Sequence, residues 1–299
     1  MMKLSHESKV RLGVGIGAFV LIIGLIFGTS RTLIHYDGPW DLGDIASGLS
    51  GMNDAADEDD SLNGRDYSAR PQQLSSETFD ADSFQSLDLN VTSGTVEIKH
   101  VSDGPVRVIE SGRVAKGVAA YDAATQNLAE IKGSALKIAQ FDCNDERAID
   151  RSVTIELPRE LAEKMMSITA NVGSGDLTIT GIACYDLDVT LDSGDVEFTG
   201  AVTDTLNAEV GSGDVTFELN QAPASSMYVA VDSGDVEITV PSSTGFKASL
   251  TLGSGDFESD FLPLGYDGET ILNSEFDNGD KSATYRFEIG SGDVSFDSE

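Results

Sequence analysis

Apolar and polar residues alternate along most of the chain after residue 84, and a Ser-Gly-Asp tripeptide interrupts the alternation at regular intervals. Apolar residues recur two, four and six positions before the serine, and again three and five positions after it, in most copies. Alternation with one apolar side is typical of a half-buried strand. Each repeat is therefore predicted to be a strand, a tight turn and a second strand. The six copies begin at Ser174, Ser193, Ser212, Ser233, Ser254 and Ser291, and a degenerate copy is Ser93-Gly94-Thr95.

The repeat spacing predicts the fold class. The first five copies are separated by 19, 19, 21 and 21 residues, and Ser274 divides the final gap of 37 into 20 and 17. A fixed period of about 20 residues is typical of a solenoid, because one repeat cannot bury its apolar face alone. We expect successive coils to stack in parallel register, each strand pairing with its equivalent in the next coil. The prediction is an all-β, single-stranded parallel β-solenoid (β-helix).

The turn residues have two interpretations. The glycines supply a positive φ at little steric cost, and they are Gly175, Gly194, Gly213, Gly234, Gly255 and Gly292. In the structural interpretation, each following aspartate bonds its own local backbone N–H groups. In the other, the stacked carboxylates form a weak site for a cation such as Ca²⁺, which prefers several oxygen ligands. The row consists of Asp176, Asp195, Asp214, Asp235 and Asp256.

The N-terminal region predicts a membrane anchor. Residues 12–30 are uncharged, and a helix of that length spans about 28 Å, close to the thickness of a bilayer core. Lys3, Lys9 and Arg11 precede it, which places the N-terminus in the cytosol and the rest outside. A cleaved signal peptide is the alternative. A stripe of small residues on this helix could pack two copies into a homodimer. The stripe consists of Gly13, Gly17, Gly24 and Gly28.

These features divide the chain into four segments. We expect a cytosolic tail at 1–11, the transmembrane helix at 12–30, an acidic flexible linker at 31–78 and the solenoid at 79–299. Within the solenoid, 79–165 is predicted to form irregular coils, with a short helix near 160–165, and 166–299 to form the regular coils.

Charge and cysteine content restrict the class of partner. The formal net charge is −32, which repels nucleic acid and favours neutral partners, cationic partners or metal ions. Cys143 and Cys184 are the only cysteines. They lie about two coils apart, roughly 9–10 Å, beyond the reach of a disulfide. We therefore expect two free thiols.

No catalytic constellation is evident. The only histidines are His6, His35 and His100, and none lies near a set of residues that could form a nucleophilic triad or a zinc site. The single tryptophan, Trp40, lies outside the predicted solenoid, so it provides no sugar-stacking platform there. We predict that the protein is not an enzyme and needs no cofactor, apart from the cation considered above.

The repeats resemble a known family. The segments LDLNVTSGTVEI, VGSGDLTI, LDSGDVEF, VGSGDVTF and VDSGDVEI are similar to those of the DUF4097 family, bacterial proteins described as putative adhesins. The resemblance covers residues 84–298 and implies a β-helix domain, often anchored in the membrane. It supplies no catalytic residues.

Two functions fit these observations. The first is a membrane-anchored, non-catalytic, adhesin-like scaffold that presents a rigid acidic solenoid to an envelope protein or a glycan. The second is an envelope-sensing or regulatory protein that acts through a membrane partner, because the cytosolic tail is too short to hold a signalling domain.

Overall fold

The computed structural model describes residues 61–62, 65–116, 128–138, 148–262 and 273–299. The predicted tail, transmembrane helix with its four glycines, most of the linker, and Cys143 lie outside these ranges. Within them, no helix is long and apolar enough to cross a bilayer. The elements are β1 (Ser61–Leu62), β2 (Arg65–Asp66), β3 (Gln72–Phe79), β4 (Ser86–Ser93), β5 (Thr95–Val101), β6 (Val106–Val114), β7 (Ala129–Lys132), β8 (Ala135–Ile138), β9 (Ala148–Pro158), α1 (Arg159–Ala162), β10 (Met165–Ser174), β11 (Leu177–Ser193), β12 (Val196–Ser212), β13 (Val215–Gln221), β14 (Ser226–Ser233), β15 (Val236–Val240), β16 (Phe246–Leu252), β17 (Phe257–Ser259), β18 (Asn273–Asn278), β19 (Ala283–Ser291) and β20 (Val294–Ser298).

The all-β prediction is confirmed. Strands β3 to β20 join into one 18-stranded sheet within the described residues. The strands before the Ser-Gly-Asp corners pair in one stack, in the order β8, β4, β10, the end of β11, the end of β12, β14, β19 and β16. The strands after the corners pair in a second stack, in the order β9, β5, the start of β11, the start of β12, β13, β15, β20 and β17. Each coil is named below by the number of its corner serine.

The order of the coils in space differs from their order in the chain. Coils 174, 193, 212 and 233 stack consecutively, as predicted. Coil 291, however, lies between coils 233 and 254, although it follows both in sequence. Coil 93 stacks directly on coil 174, and β8 and β9 lie outside it. The expectation that chain neighbours always stack is therefore wrong at both ends.

Antiparallel strands cover most of the outer edges of the stack. Strand β7 pairs with β8, and β6 and β3 extend the sheet beyond β9. At the other end β18 pairs with β16. The region around Ser274, expected to mark a further repeat, is this antiparallel strand. Covering an edge in this way removes unpaired backbone groups that invite aggregation.

The core lies between the two stacks. Inward positions from both stacks are buried and belong to one apolar cluster. Within this cluster Phe198 and Phe217, from neighbouring coils, lie with their ring centroids 6.2 Å apart. Near coils 254 and 291 the packing is richer in aromatic rings, and Phe246 stacks on Tyr285 at 5.1 Å. The alternation in the sequence thus identifies the core-facing residues.

The ordered domain begins earlier than the linker prediction allowed. Strand β3 starts at Gln72, and Tyr67 is buried. Strand β3 is an outer strand whose side chains are mostly exposed or half-buried, so its sequence lacks the apolar alternation that marks inner strands. The short helix expected near 160–165 is present as α1.

Candidate interaction surface

The glycine corners form one column. Each corner glycine from Gly94 to Gly292 has a φ between 113° and 145°. In every coil that has a further coil beyond it, the N–H of this glycine donates to the carbonyl oxygen of the corner serine in the next coil, over 2.8 to 3.0 Å. A Cβ added at Gly213 would lie 1.9 Å from the carbonyl oxygen of Gly194. Glycine is therefore required at these corners both for its φ and for the close approach of neighbouring coils.

The corner aspartates form a hydrogen-bonded ladder between coils. The Oδ1 atom of every aspartate except the last, Asp256, accepts the backbone N–H of the corresponding aspartate in the next coil, over 2.8 to 3.2 Å. The structural interpretation of the sequence placed these bonds within each aspartate's own turn, and that detail is wrong. The donors come from the adjacent coil because parallel stacking brings equivalent residues together. The ladder runs Asp176, Asp195, Asp214, Asp235, Asp293 and Asp256.

The row of aspartates predicted from the sequence lacked one member of this ladder. Asp293 lies between Asp235 and Asp256, and its place follows from the insertion of coil 291. Among the described residues, no group of three or more histidine, cysteine, aspartate or glutamate side chains is arranged to hold a metal ion. The proposed weak Ca²⁺ row stays a prediction.

A second column runs along the outward face of the strands that follow the corners. Glutamates and hydroxyl-bearing residues alternate at equivalent positions of eight adjacent described strands. Neighbouring strands lie about 4.8 Å apart, so successive glutamates are about 10 Å apart. We call this set the Glu–hydroxyl column, and its members in spatial order are Thr154, Glu97, Thr178, Glu197, Thr216, Glu237, Ser295 and Glu258.

The alternation in this column depends on the spatial order of the coils. Glu237 and Glu258 belong to consecutive repeats in the sequence, yet Ser295 lies between them. At one end of the column, Thr154 Oγ1 donates to Glu97 Oε2 over 3.2 Å. Spacing the carboxylates reduces repulsion between like charges directly opposite each other on neighbouring strands.

Partial burial changes the pKa of one of these carboxylates. Removal from water raises the pKa of Glu197, and the nearby charge of Glu218 raises it further. Thr216, between Glu197 and Glu237, is half-buried as well. The middle of the column therefore consists of carboxylates and hydroxyls that are half-buried or exposed and are accessible to a partner.

The opposite outward face, on the strands before the corners, carries a small polar cluster. Tyr228 donates its hydroxyl to Glu288 Oε2 over 2.8 Å, and the guanidinium carbon of Arg286 lies 5.7 Å from the Tyr228 ring centroid. The hydrogen bond to Glu288 is the main cause that raises the pKa of Tyr228. The same bond, with Arg286, lowers the pKa of Glu288. This cluster joins coil 233 to coil 291.

Charge is unevenly distributed along the domain. Residues 165–299 contain 25 Asp or Glu and three Lys or Arg, a net charge of −22. Residues 73–164 contain 16 acidic and ten basic residues, a net charge of −6. The regular coils therefore form the strongly acidic part of the surface, whereas the irregular coils are closer to balanced.

Four further described residues lie outside these columns, namely His100, Cys184, Met166 and Tyr185. His100 is exposed, as the sequence suggested. Cys184 is a free, buried thiol, and burial, with a smaller contribution from Asp186, raises its pKa to about 12. Met166 and Tyr185 are the large apolar side chains most exposed within the described ranges, at 48% and 46%. The non-catalytic assignment stays a prediction.

A domain of parallel coils, with corner glycines in one column and acidic outward faces, belongs to the class of β-solenoid proteins. The chain matches the model of the family described as Toastrack DUF4097 over residues 73–297. It therefore belongs to the DUF4097 family, and the resemblance seen in the repeats is confirmed.

Solved structures of distant similarity are found as well. A putative cell adhesion protein from Clostridium sporogenes is 14% identical, with 77% of this chain and 100% of that chain covered and a TM-score of 0.43. A putative adhesin from Bacteroides fragilis is 12% identical, with coverage of 77% and 98% and a TM-score of 0.42. A putative adhesin from Parabacteroides distasonis is 12% identical, with coverage of 74% and 96% and a TM-score of 0.33. No curated protein matches the chain.

Proposed function

We propose that the protein is a membrane-anchored, extracytoplasmic, adhesin-like scaffold that presents its acidic solenoid to another surface protein or to a glycan. In this proposal the solenoid has no catalytic role. Residues 12–30 anchor the chain, the N-terminus lies in the cytosol, and the solenoid lies outside the cell.

The Glu–hydroxyl column carries this proposal. It is an array in which carboxylates and hydroxyls alternate over eight described strands. Backbone pairing on both sides fixes the strand of every member except Glu258, so little backbone order has to be gained on binding. A partner with regularly spaced amines or hydroxyls, such as a basic extended segment or a polysaccharide, fits this chemistry. The strong negative charge repels nucleic acid, so we expect no nucleic-acid partner.

A capture experiment with matched charge changes tests the proposal. Full-length protein in detergent is offered to arrays of envelope proteins and cell-surface glycans. The double variant Glu197→Gln/Glu237→Gln changes the column and should lose capture of the partner. The control Asp188→Asn/Glu209→Gln removes the same number of charges from the outward face before the corners and should retain it.

Two outcomes would contradict the proposal. One is capture of no component above an unrelated protein of equal net charge. The other is equal loss of capture in both double variants, which would indicate a general effect of charge and no role for the column.

The anchor is tested separately by cell fractionation. Full-length protein should sediment with membranes, and external protease should degrade the solenoid of intact spheroplasts. A variant that lacks residues 12–30 should remain soluble inside the cell. Protection of the solenoid from external protease in intact spheroplasts would contradict the proposed orientation.

A further inference from the structure

The C-terminal coil occupies a slot between two coils that precede it in the chain. Strand β19 pairs with β14 on one side and β16 on the other, and β20 pairs likewise with β15 and β17. Before this coil enters, four strand edges in the slot lack their final partners. A chain in that state presents an open site shaped for residues 283–299.

The outward side chains make the slot specific for this coil. Without it, coils 233 and 254 would stack directly and place Glu237 beside Glu258, which like-charge repulsion disfavours. With it, Ser295 separates the two glutamates. Arg286 and Glu288 then meet Tyr228 of coil 233.

The tether into the slot is short and contains an unfavourable backbone conformation. Asn278 and Ala283 both pair with Phe246, from opposite sides. Residues 279–282 must therefore cross two strand spacings, about 10 Å. Within this tether Lys281 has a φ of 59°, a conformation that costs a residue with a side chain free energy. Short, strained connections favour exchange of the segment that follows them.

We propose that residues 283–299 are exchanged between two copies of this chain, so that the C-terminal coil of each copy fills the slot of the other. Every contact within the slot is the same whether the coil comes from its own chain or from the partner chain. The exchanged dimer relaxes the tether and loses only the contacts of residues 279–282. Its population rises with protein concentration, because exchange is bimolecular.

Cross-linking between differently tagged copies tests the proposal. In the closed coil, Ser233 and Ser291 are register partners with their Oγ atoms 3.4 Å apart. One full-length chain carries Ser233→Cys with a small tag, and a second carries Ser291→Cys with a larger tag. The chains are unfolded together, refolded at high concentration in detergent and oxidised, and the linked peptides are identified by mass spectrometry.

Exchange predicts a disulfide between the two tagged chains in the dimer fraction from size exclusion. The matched control pairs Ser233→Cys with Ser174→Cys on the second chain, since Ser174 is exposed and lies outside the slot. The 233–291 adduct should exceed the 233–174 adduct about 100-fold, because exchange holds the first pair at millimolar effective concentration. Equal yields of the two adducts, or no dimer at any concentration, would overturn the proposal.

Tether variants provide a second test. Lys281→Gly removes the conformational cost and should lower the dimer fraction. Deletion of residues 279–281 leaves two residue steps, which span at most about 7 Å, so the coil cannot reach its own slot. This variant should fold as a dimer. A folded monomer with all coils protected from hydrogen exchange would contradict the proposal, and if the variant does not fold, the cross-linking yields decide.

Discussion

The central coils and the C-terminal coils share one corner but follow different rules of assembly. In coils 174 to 233, chain order and spatial order coincide. At the C-terminal end, coil 291 separates two coils that are consecutive in the chain. The hydrogen bonds at the corners are the same in both regions, with glycine N–H to serine oxygen distances of 2.8 to 3.0 Å.

This difference indicates that the repeated backbone register is compatible with a coil order other than chain order. The outward side chains distinguish the alternatives. In the middle of the stack Thr178 and Thr216 flank Glu197 in chain order. At the end, the same alternation is obtained only because Ser295 enters between two glutamates. A repeat protein can thus specify its coil order through positions that contribute little to its core.

The largest expected effect concerns the corner glycines. Gly213→Ala should destabilise the domain by about 3 to 5 kcal/mol, because an unfavourable φ is combined with a backbone overlap. Gly104→Ala is the control. Gly104 also has a positive φ, of 117°, but nothing lies within 4 Å of the added Cβ, so a loss of about 1 to 2 kcal/mol is expected. Urea unfolding measures both, and equal losses would show that crowding between coils is unimportant.

A smaller effect is expected in the aspartate ladder. Asp214→Ala removes the acceptor for the N–H of Asp235 and should cost about 0.5 to 1.5 kcal/mol. Asp214→Asn retains an acceptor oxygen and should cost less. Asp256 is in the outermost coil, where no described coil follows it, so Asp256→Ala should change stability by less than about 0.5 kcal/mol. Thermal unfolding measures the stability of the three variants. An equal loss of stability in Asp214→Ala and Asp256→Ala would contradict a role of the aspartate ladder in stability.

The Glu–hydroxyl column allows the effect of an added charge to be compared between the central coils and the C-terminal coil. Thr216→Glu and Ser295→Glu each place three glutamates on adjacent strands, and each should destabilise by about 0.5 to 1 kcal/mol at low salt. High salt should reduce both losses, because the charges are exposed or half-buried. The controls Thr216→Gln and Ser295→Gln should be close to wild type. If the losses of stability do not depend on salt, or if the glutamine variants lose as much stability, the cause is packing and not charge repulsion.

The parts of this fold that repeat were predictable, and the parts that break the repeat were not. Apolar spacing identified the core positions, and the glycines identified the corners. The insertion of coil 291 depends on contacts between residues 58 positions apart, such as Ser233 and Ser291, which spacing cannot reveal. Strand β3 escaped prediction because an outer, mostly exposed strand needs no apolar alternation.

The candidate surface was partly readable from the aligned repeats. Glu97, Thr178, Glu197, Thr216 and Glu237 occupy the same position after the corner in successive copies. The alternation of glutamate and hydroxyl could have been found there. The remaining members, Thr154, Ser295 and Glu258, are ordered only by the stacking in space.

The smallest effect on stability near neutral pH is expected from the ionisation of the Cys184 thiol, which lies in the central coils. Burial raises its pKa to about 12 from a usual value near 9. The thiol is protonated in the folded state, so its contribution to stability is complete below pH 9 and is lost as pH rises through 12. Iodoacetamide labelling of Cys184 at pH 8 should be no faster than unfolding, whereas an introduced Ser254→Cys in the outermost coil should label rapidly. Rapid labelling of Cys184 in the folded protein would contradict its burial.

A pair of double-cysteine variants tests the order of the coils in space. Ser233→Cys/Ser291→Cys places thiols on adjacent coils, and Ser233→Cys/Ser254→Cys places them about 10 Å apart, beyond the range of a disulfide. Mild oxidation of monomeric protein should close an intrachain disulfide in the first variant and leave the second reduced. Closure of the second disulfide with failure of the first would show that the coils stack in chain order, with coil 254 directly on coil 233.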